Sequence, residues 1–199
     1  MLIGYILAVL TGLLLAGIIN IEFIKKDISP VIRLASVIVN TVAMAGFCLL
    51  FVYFFGLTYR FIVYTMLTVN LLLISNYDIR EQSVSRETVI VSVICALAVL
   101  VYNKDSVWWD LILTGIGFTA VFILISRITR SAIGIGDAFI TGVIGLYLGF
   151  FHTVTVIFLA LLLGGVISII LFVMKKVSRK TPLPFAPFLA AGFLVSIIL

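Results

Sequence analysis

The chain has 199 residues, of which 64% are hydrophobic and only 11% are charged. Soluble domains usually carry about 25% charged residues, so the composition excludes an ordinary soluble globular protein and predicts a polytopic membrane protein. The net charge of +5 does not indicate a nucleic-acid partner, because the basic residues lie in short loops between apolar segments.

Eight apolar segments predict helices, since crossing the hydrocarbon core takes about 20 apolar residues. The boundary between the second and third segments is the weakest, because only Gly56 and the polar Thr58-Tyr59-Arg60 separate them. We expect an all-α fold, a polytopic transmembrane helical bundle of about eight helices, as a single membrane-embedded domain over residues 1–199. The predicted helices are residues 2–20, 34–55, 57–77, 88–102, 109–126, 132–151, 153–174 and 185–199.

The basic residues are distributed unevenly between the loops. Alternate loops carry eleven of the thirteen Lys and Arg residues, and the opposite loops carry only Arg60 and Lys104. The positive-inside rule therefore places the rich loops in the cytoplasm and both termini outside. The eleven are Lys25, Lys26, Arg33, Arg80, Arg86, Arg127, Arg130, Lys175, Lys176, Arg179 and Lys180.

Two aspartates stand at the edges of apolar segments. Asp78 ends the third predicted helix, and Asp137 follows Gly134 and Gly136 near the start of the sixth, on the same predicted side of the membrane. An ionisable side chain at membrane depth costs a few kcal/mol or more, so it usually has a function. The sixth helix is expected to begin near Ala132, which would place Asp137 about one helical turn or more below the membrane surface.

Two close carboxyl groups that share one proton can hydrolyse a peptide bond. The ionised group removes a proton from water, and the protonated group donates to the scissile carbonyl oxygen. Gly134 and Gly136 would permit unusual backbone torsions and the close approach of an extended substrate. Other interpretations stay open, because an Asp at a helix end is often an interfacial cap or ion-pair partner, and Asp137 is also a candidate N-cap residue.

No metal or cofactor is expected. Cys48 and Cys95 lie alone in apolar runs, and the sequence contains no C-x-x-C motif and a single histidine. Asn70 lies eight residues before Asp78, on roughly the same helix face. It is a candidate for a hydrogen bond into the site, and a plain interhelical contact is the alternative.

Three elements carry a resemblance to a known family: Asp78, the G-x-G-D tetrapeptide Gly134–Asp137, and the segment from Pro184 to Gly192, which reads PFAPFLAAG. The chain resembles the type IV prepilin peptidases, membrane aspartyl proteases that include the archaeal preflagellin peptidases. The resemblance implies a helical bundle, with Asp78 and Asp137 as the catalytic pair. By the same analogy, Pro184, Phe185 and Pro187 are candidates for the substrate side of the site.

The chain departs from the family pattern at three places. Val84-Ser85-Arg86 stands where bacterial members usually have Ile/Leu-Pro-Asn/Asp, and Phe139 stands where a lysine often follows G-x-G-D. Many bacterial members also insert a cytoplasmic domain with paired C-x-x-C motifs after the first helix, and they N-methylate the product. Here the loop Glu22–Arg33 has only 12 residues, so no zinc domain and no N-methyltransferase activity are expected.

The function expected from the resemblance is cleavage of the short basic leader of type IV pilin-like precursors at the cytoplasmic membrane face. The partners would be those precursors and the lipid bilayer, with no nucleic acid. The location would be the cytoplasmic (inner) membrane of a bacterium or archaeon. Two alternatives are a presenilin- or signal-peptide-peptidase-like protease, for which the P-A-L motif is absent, and a non-enzymatic proton-linked carrier.

The charge distribution generates a testable topology. Single-cysteine variants at Ser85, Ser131 and Ser178 should react with a membrane-impermeant thiol reagent only from the cytoplasmic side, and one at Asp105 only from the outside. Reversed labelling at Ser85 or Ser131, which flank the two aspartates in sequence, would remove the argument that a cytoplasmic leader meets them.

Overall fold

The computed structural model describes residues 2–24, 30–81, 84, 86–101, 108–129, 134–175 and 183–199. Within these ranges the secondary structure consists of eight α-helices and no β-strand. The helices are α1 (Leu2–Ile24), α2 (Pro30–Phe55), α3 (Tyr59–Glu81), α4 (Arg86–Val101), α5 (Trp108–Ile128), α6 (Ile135–Leu148), α7 (Phe150–Val173) and α8 (Ala186–Ile198).

The predicted all-α, polytopic fold class is confirmed. Five of the described helices, α1, α2, α3, α5 and α7, are long and apolar enough to cross a membrane. Helices α6 and α8 are apolar but have only 14 and 13 residues. A helix of that length covers about 20 Å of a hydrocarbon core that is about 30 Å thick. The orientation of the termini stays a prediction.

The chain divides into two compact units, Met1–Leu72 and Leu73–Leu199, and its organisation as a single peptidase domain stays a prediction. In the first unit α1 packs on α2. A Cβ atom at Gly12 would lie 2.9 Å from the Cα atom of Ala45, so the two backbones approach closely there. The side-chain amide of Asn40 also donates a hydrogen bond to Asn20 Oδ1 at 3.2 Å. Small residues and polar bridges of this kind hold membrane helices together.

In the second unit α5 crosses α6 at glycines. A Cβ atom at Gly145 would lie 3.0 Å from the backbone nitrogen of Gly115, and one at Gly142 would lie 2.9 Å from the Gly115 carbonyl oxygen. Since backbone atoms cannot move aside as a flexible side chain can, these glycines set the distance between the two helices. The crossing therefore holds α6, the helix that carries Asp137.

A second close crossing joins α7 and α8. A Cβ atom at Gly192 would lie 2.6 Å from the carbonyl oxygen of Val156 and 2.8 Å from the backbone nitrogen of Ala160. Further toward the start of α8, the ring of Phe188 lies over Gly164, 3.3 Å from where a Cβ atom would stand. These contacts fix α8 along α7 and so determine where α8 begins.

Two helix boundaries beside the aspartates differ from the sequence prediction. Helix α3 continues past residue 77 to Glu81, because Ile79-Arg80-Glu81 contains no helix breaker. The expected start of the sixth helix near Ala132 is wrong, since Gly134 has extended torsions (φ −63°, ψ 139°) and is the N-cap residue of α6. Residue 132 itself lies outside the described residues. Asp137 is therefore in the first turn of α6, as the third residue of that helix.

Close packing at Gly145 predicts a stability difference between two glycine-to-alanine variants. Gly145→Ala should lower the free energy of unfolding by about 1–3 kcal/mol, because the new methyl group meets the backbone of Gly115. Gly165→Ala in α7 is the control, since no atom lies within 4 Å of a Cβ atom there. Thermal unfolding in detergent measures both. Equal melting temperatures for the two variants would contradict the assigned α5–α6 crossing.

Candidate active site

Asp78 lies in the last turn of α3 and is buried, with only 7% of its surface exposed. A buried carboxylate is costly unless hydrogen bonds satisfy it. The backbone N–H of Ala186 donates a hydrogen bond of 2.9 Å to Asp78 Oδ2, and the neighbouring amide of Phe185 also favours the ionised form of this carboxyl. Residues that are 108 positions apart in the chain therefore meet at one carboxyl group.

The donors to Asp78 come from the N-terminus of α8, where helical N–H groups have no partner within the helix. Phe185 is the N-cap residue, and its carbonyl oxygen accepts the N–H groups of Phe188 at 3.0 Å and Leu189 at 3.1 Å. Pro187 has no N–H to donate, and proline is common in the first turn of a helix for this reason. The amides of Phe185 and Ala186 thus remain for Asp78, and Ala186 is fully buried against it.

Asp137 is the third residue of α6, and its position explains the spacing of G-x-G-D. Its N–H donates to the Gly134 carbonyl oxygen at 3.1 Å, and its carboxyl group folds back onto the backbone amide of Gly134. An acidic residue at this position that reaches back to the N-cap amide forms half of a capping box. The sequence interpretation of Asp137 as the N-cap residue is therefore wrong, because Gly134 has that place.

Both glycines of the motif leave space that a side chain would fill. A Cβ atom at Gly134 would lie 3.2 Å from Asp137 Oδ2, so a larger residue would crowd the carboxyl group. A Cβ atom at Gly136 would lie 2.8 Å from the Cβ atom of Val84 and would collide with its Cγ2 methyl group. Val84 precedes α4, so Gly136 allows this segment to pack directly beside Asp137.

Asp78 and Asp137 lie close enough for the charge of Asp78 to act on the Asp137 carboxyl. Both residues belong to the unit Leu73–Leu199. Among the described residues, no group of three His, Cys, Asp or Glu side chains is arranged to hold a metal ion. Asp137 is partly exposed and Asp78 is buried. Two such carboxyls can share one proton, with Asp137 on the accessible side.

The other residues selected from the sequence have different positions. Pro184 directly precedes the N-cap residue of α8, Phe185 is that residue, and Pro187 lies in the first turn, so this segment adjoins Asp78. Asn70 belongs to the first unit, and its side-chain amide donates to the Met66 carbonyl oxygen of its own helix at 3.0 Å. Contact of any of these residues with a substrate stays a prediction.

Phe139 lies on the face of α6 that points away from Asp137. Two residues correspond to about 200° around a helix with 3.6 residues per turn. Phe139 lines an apolar groove of about 370 Å³ together with Val93 of α4 and Ile123 of α5. The phenylalanine that replaces the usual lysine therefore contributes to packing against α4 and α5.

Sequence reasoning missed the two contacts that hold the pair. The Ala186 amide could have been found from Pro187, because proline in a first turn marks a helix start whose free N–H groups need an acceptor. The contact of Val84 with Gly136 leaves no comparable local signal, since it joins segments far apart in the chain.

Comparisons with known proteins point to one family. The sequence model of the type IV leader peptidase family matches residues 65–169, a range that includes both aspartates. The chain is similar to the prepilin leader peptidase/N-methyltransferase of Bacillus subtilis (strain 168), with 31% identity over 101 residues. That alignment covers 51% of this chain and 40% of the relative, so the chain matches less than half of the relative's length. No solved structure matches the chain significantly. Because the family match covers more than half of its residues, the chain belongs to the type IV leader peptidase family.

Proposed function

We propose that the chain is a membrane aspartic endopeptidase that removes the short basic leader from type IV pilin-like precursors at the cytoplasmic membrane face. The observation that carries the proposal is the carboxyl pair. The charges of Asp78 and Asp137 interact, and the Ala186 amide holds Asp78 in place. Membership of a leader peptidase family supports the reaction class and the choice of substrate.

Hydrolysis at such a pair needs no further group. The ionised carboxyl removes a proton from water as the water oxygen bonds to the scissile carbonyl carbon. The protonated carboxyl donates its proton to the carbonyl oxygen, which gives a tetrahedral diol. The diol then collapses, the C–N bond breaks, the leaving nitrogen takes the proton removed from water, and a diol hydroxyl returns its proton to the other carboxyl. The pair ends with one proton, as it began.

The described surroundings suit an extended substrate that enters from the Asp137 side. Gly134 is exposed, and Asp137 is partly exposed. A substrate backbone can approach a glycine more closely than any other residue. The proposed precursor would keep its basic leader in the cytoplasm and its hydrophobic helix in the bilayer, so that the scissile bond falls between them at the aspartates.

The proposal predicts that both aspartates are essential. Asp78→Asn and Asp137→Asn should each lower cleavage of a pilin-like precursor by about 100-fold or more, because each removes one partner of a proton-sharing pair. Asp110→Asn at the start of α5 is the control and should retain activity. Co-expression with the precursor, followed by N-terminal sequencing of the product, measures cleavage. Near-normal turnover by either variant would refute the two-carboxylate mechanism.

The same assay tests the expectation that the reaction needs no metal and adds no methyl group. Chelators and S-adenosylmethionine should leave the rate unchanged, and the new N-terminus should have the mass of an unmodified amine. An N-methylated product formed by the purified chain alone would contradict this prediction.

The contact between Gly136 and Val84 predicts a rescue experiment. Gly136→Ala should reduce cleavage sharply and Gly136→Val more so, because the added carbon collides with Val84 beside Asp137. Val84→Gly removes that obstacle, so the double variant Gly136→Ala/Val84→Gly should recover much of the activity lost by Gly136→Ala. Gly165→Ala, with open space around it, is the control. A double variant as inactive as Gly136→Ala would exclude the contact as the cause.

A further inference from the structure

We infer that the backbone amide of Ala186 is a positioning group that makes Asp78 the ionised carboxyl of the pair, the one that activates water, and leaves the shared proton on Asp137. The inference rests on the proposed peptidase function and assigns the two aspartates different roles within it. It stands on the hydrogen bond of 2.9 Å between the Ala186 N–H and Asp78 Oδ2.

The two carboxyl groups differ in their hydrogen-bond donors. Burial disfavours the ionised form of both carboxyl groups. Asp78 accepts a direct hydrogen bond of 2.9 Å from the Ala186 N–H, and Asp137 Oδ2 lies beside Gly134. Hydrogen bonds donated to a carboxylate favour its ionised form. When one proton is shared by two interacting carboxyls, it resides on the one whose ionised form has less support, which here is Asp137.

The partial charges at helix ends also act on both carboxyl groups, but they do not change which group carries the shared proton. Asp137 lies at the favourable N-terminus of α6, and Asp78 lies at the unfavourable C-terminus of α3. The N-terminus of α8 faces Asp78 and offsets the α3 terminus. A direct hydrogen bond to a charged group contributes more than the partial charge of a helix end, so the Ala186 amide decides the balance.

The charged surroundings of Asp78 are simple in the described part of the chain. Asp137 faces it from α6, and α8 carries no titratable side chain. On its own helix, Arg80 and Glu81 follow by two and three residues, and their charges stay the same in the variants below. A change at the Ala186 amide therefore alters the balance between the two aspartates alone.

The water step then has a defined direction. Asp78 takes a proton from water while the water oxygen bonds to the scissile carbon, and Asp137 gives its proton to the carbonyl oxygen. On collapse, the C–N bond breaks, Asp78 passes its proton to the leaving nitrogen, and Asp137 recovers a proton from the diol. Asp78, as the buried member, is held by a fixed amide throughout.

The test removes one N–H without changing a side chain. Replacing Ala186 by its α-hydroxy acid, lactate, through nonsense suppression turns the peptide bond into an ester that cannot donate to Asp78. The matched control replaces Leu189 by its α-hydroxy acid, which removes a donor to the Phe185 carbonyl oxygen in the same turn. In the lactate variant the Phe185 carbonyl becomes an ester carbonyl and accepts hydrogen bonds more weakly, and the control likewise weakens the hydrogen bonding at that oxygen.

The readout is the pH dependence of kcat/KM for a synthetic precursor with a basic leader, a glycine before the scissile bond and a hydrophobic helix. With Asp78 as the base, the lactate variant should lose activity on the acid side at a pH about one unit higher, while the alkaline side stays fixed. The Leu189 variant should change neither side. The position of each limb does not depend on the fraction of folded enzyme, so partial misfolding of the ester does not obscure the result.

Each outcome has one meaning. A shift of the alkaline side alone would show that Asp78 carries the shared proton, and would overturn the assignment. If the wild type cleaves and both sides of the pH profile are unchanged in the lactate variant, the Ala186 amide does not determine which aspartate is ionised. A wild type that does not cleave the precursor would instead refute the proposed function.

Discussion

The hydrogen bond from the Ala186 N–H to Asp78 joins the end of α3 to the start of α8, and the arrangement of the carboxyl pair depends on it. A buried carboxylate needs hydrogen-bond donors, and α8 supplies one only if its first turn lies beside Asp78. The position of α8 along α7 is set further along the helix, where Gly192 lies against the backbone of Val156 and Ala160. Gly192, at one end of the PFAPFLAAG segment, therefore helps to position the backbone amides at the other end.

The two short helices, α6 and α8, also position the carboxyl pair. Helix α6 has 14 residues and α8 has 13, and each begins at a residue that takes part in the site. The first N–H groups of any α-helix have no partner within that helix. Acidic side chains are suitable acceptors for them. The same geometry that gives these N–H groups an acceptor therefore positions the carboxyl groups that we propose cleave a peptide bond.

The sequence was sufficient for the number of helices in the described residues and for the choice of two aspartates as a candidate pair, because both depend on local signals. Long apolar runs mark helices, and an acid at the edge of such a run stands out. The first and last residues of the helices were harder to predict from the sequence. The expected start at Ala132 failed, since hydrophobicity continues through residues where Gly134 adopts extended torsions. The contacts made by Ala186 and Val84 depend on how distant segments pack, and no local pattern reports that packing.

Two residues of the segments that depart from the family pattern, Phe139 and Val84, have described contacts. Phe139 lies in the apolar groove with Val93 and Ile123, on the face of α6 opposite to Asp137, so loss of a lysine there removes no charge from the carboxyl pair. Val84, in the segment where proline is usual, packs on Gly136 through its β-branched side chain. Such a side chain is stiff, and it fills the space beside the motif. Val84 thus supplies a stiff apolar contact with Gly136, whereas Ser85, the position where proline is usual, lies outside the described residues.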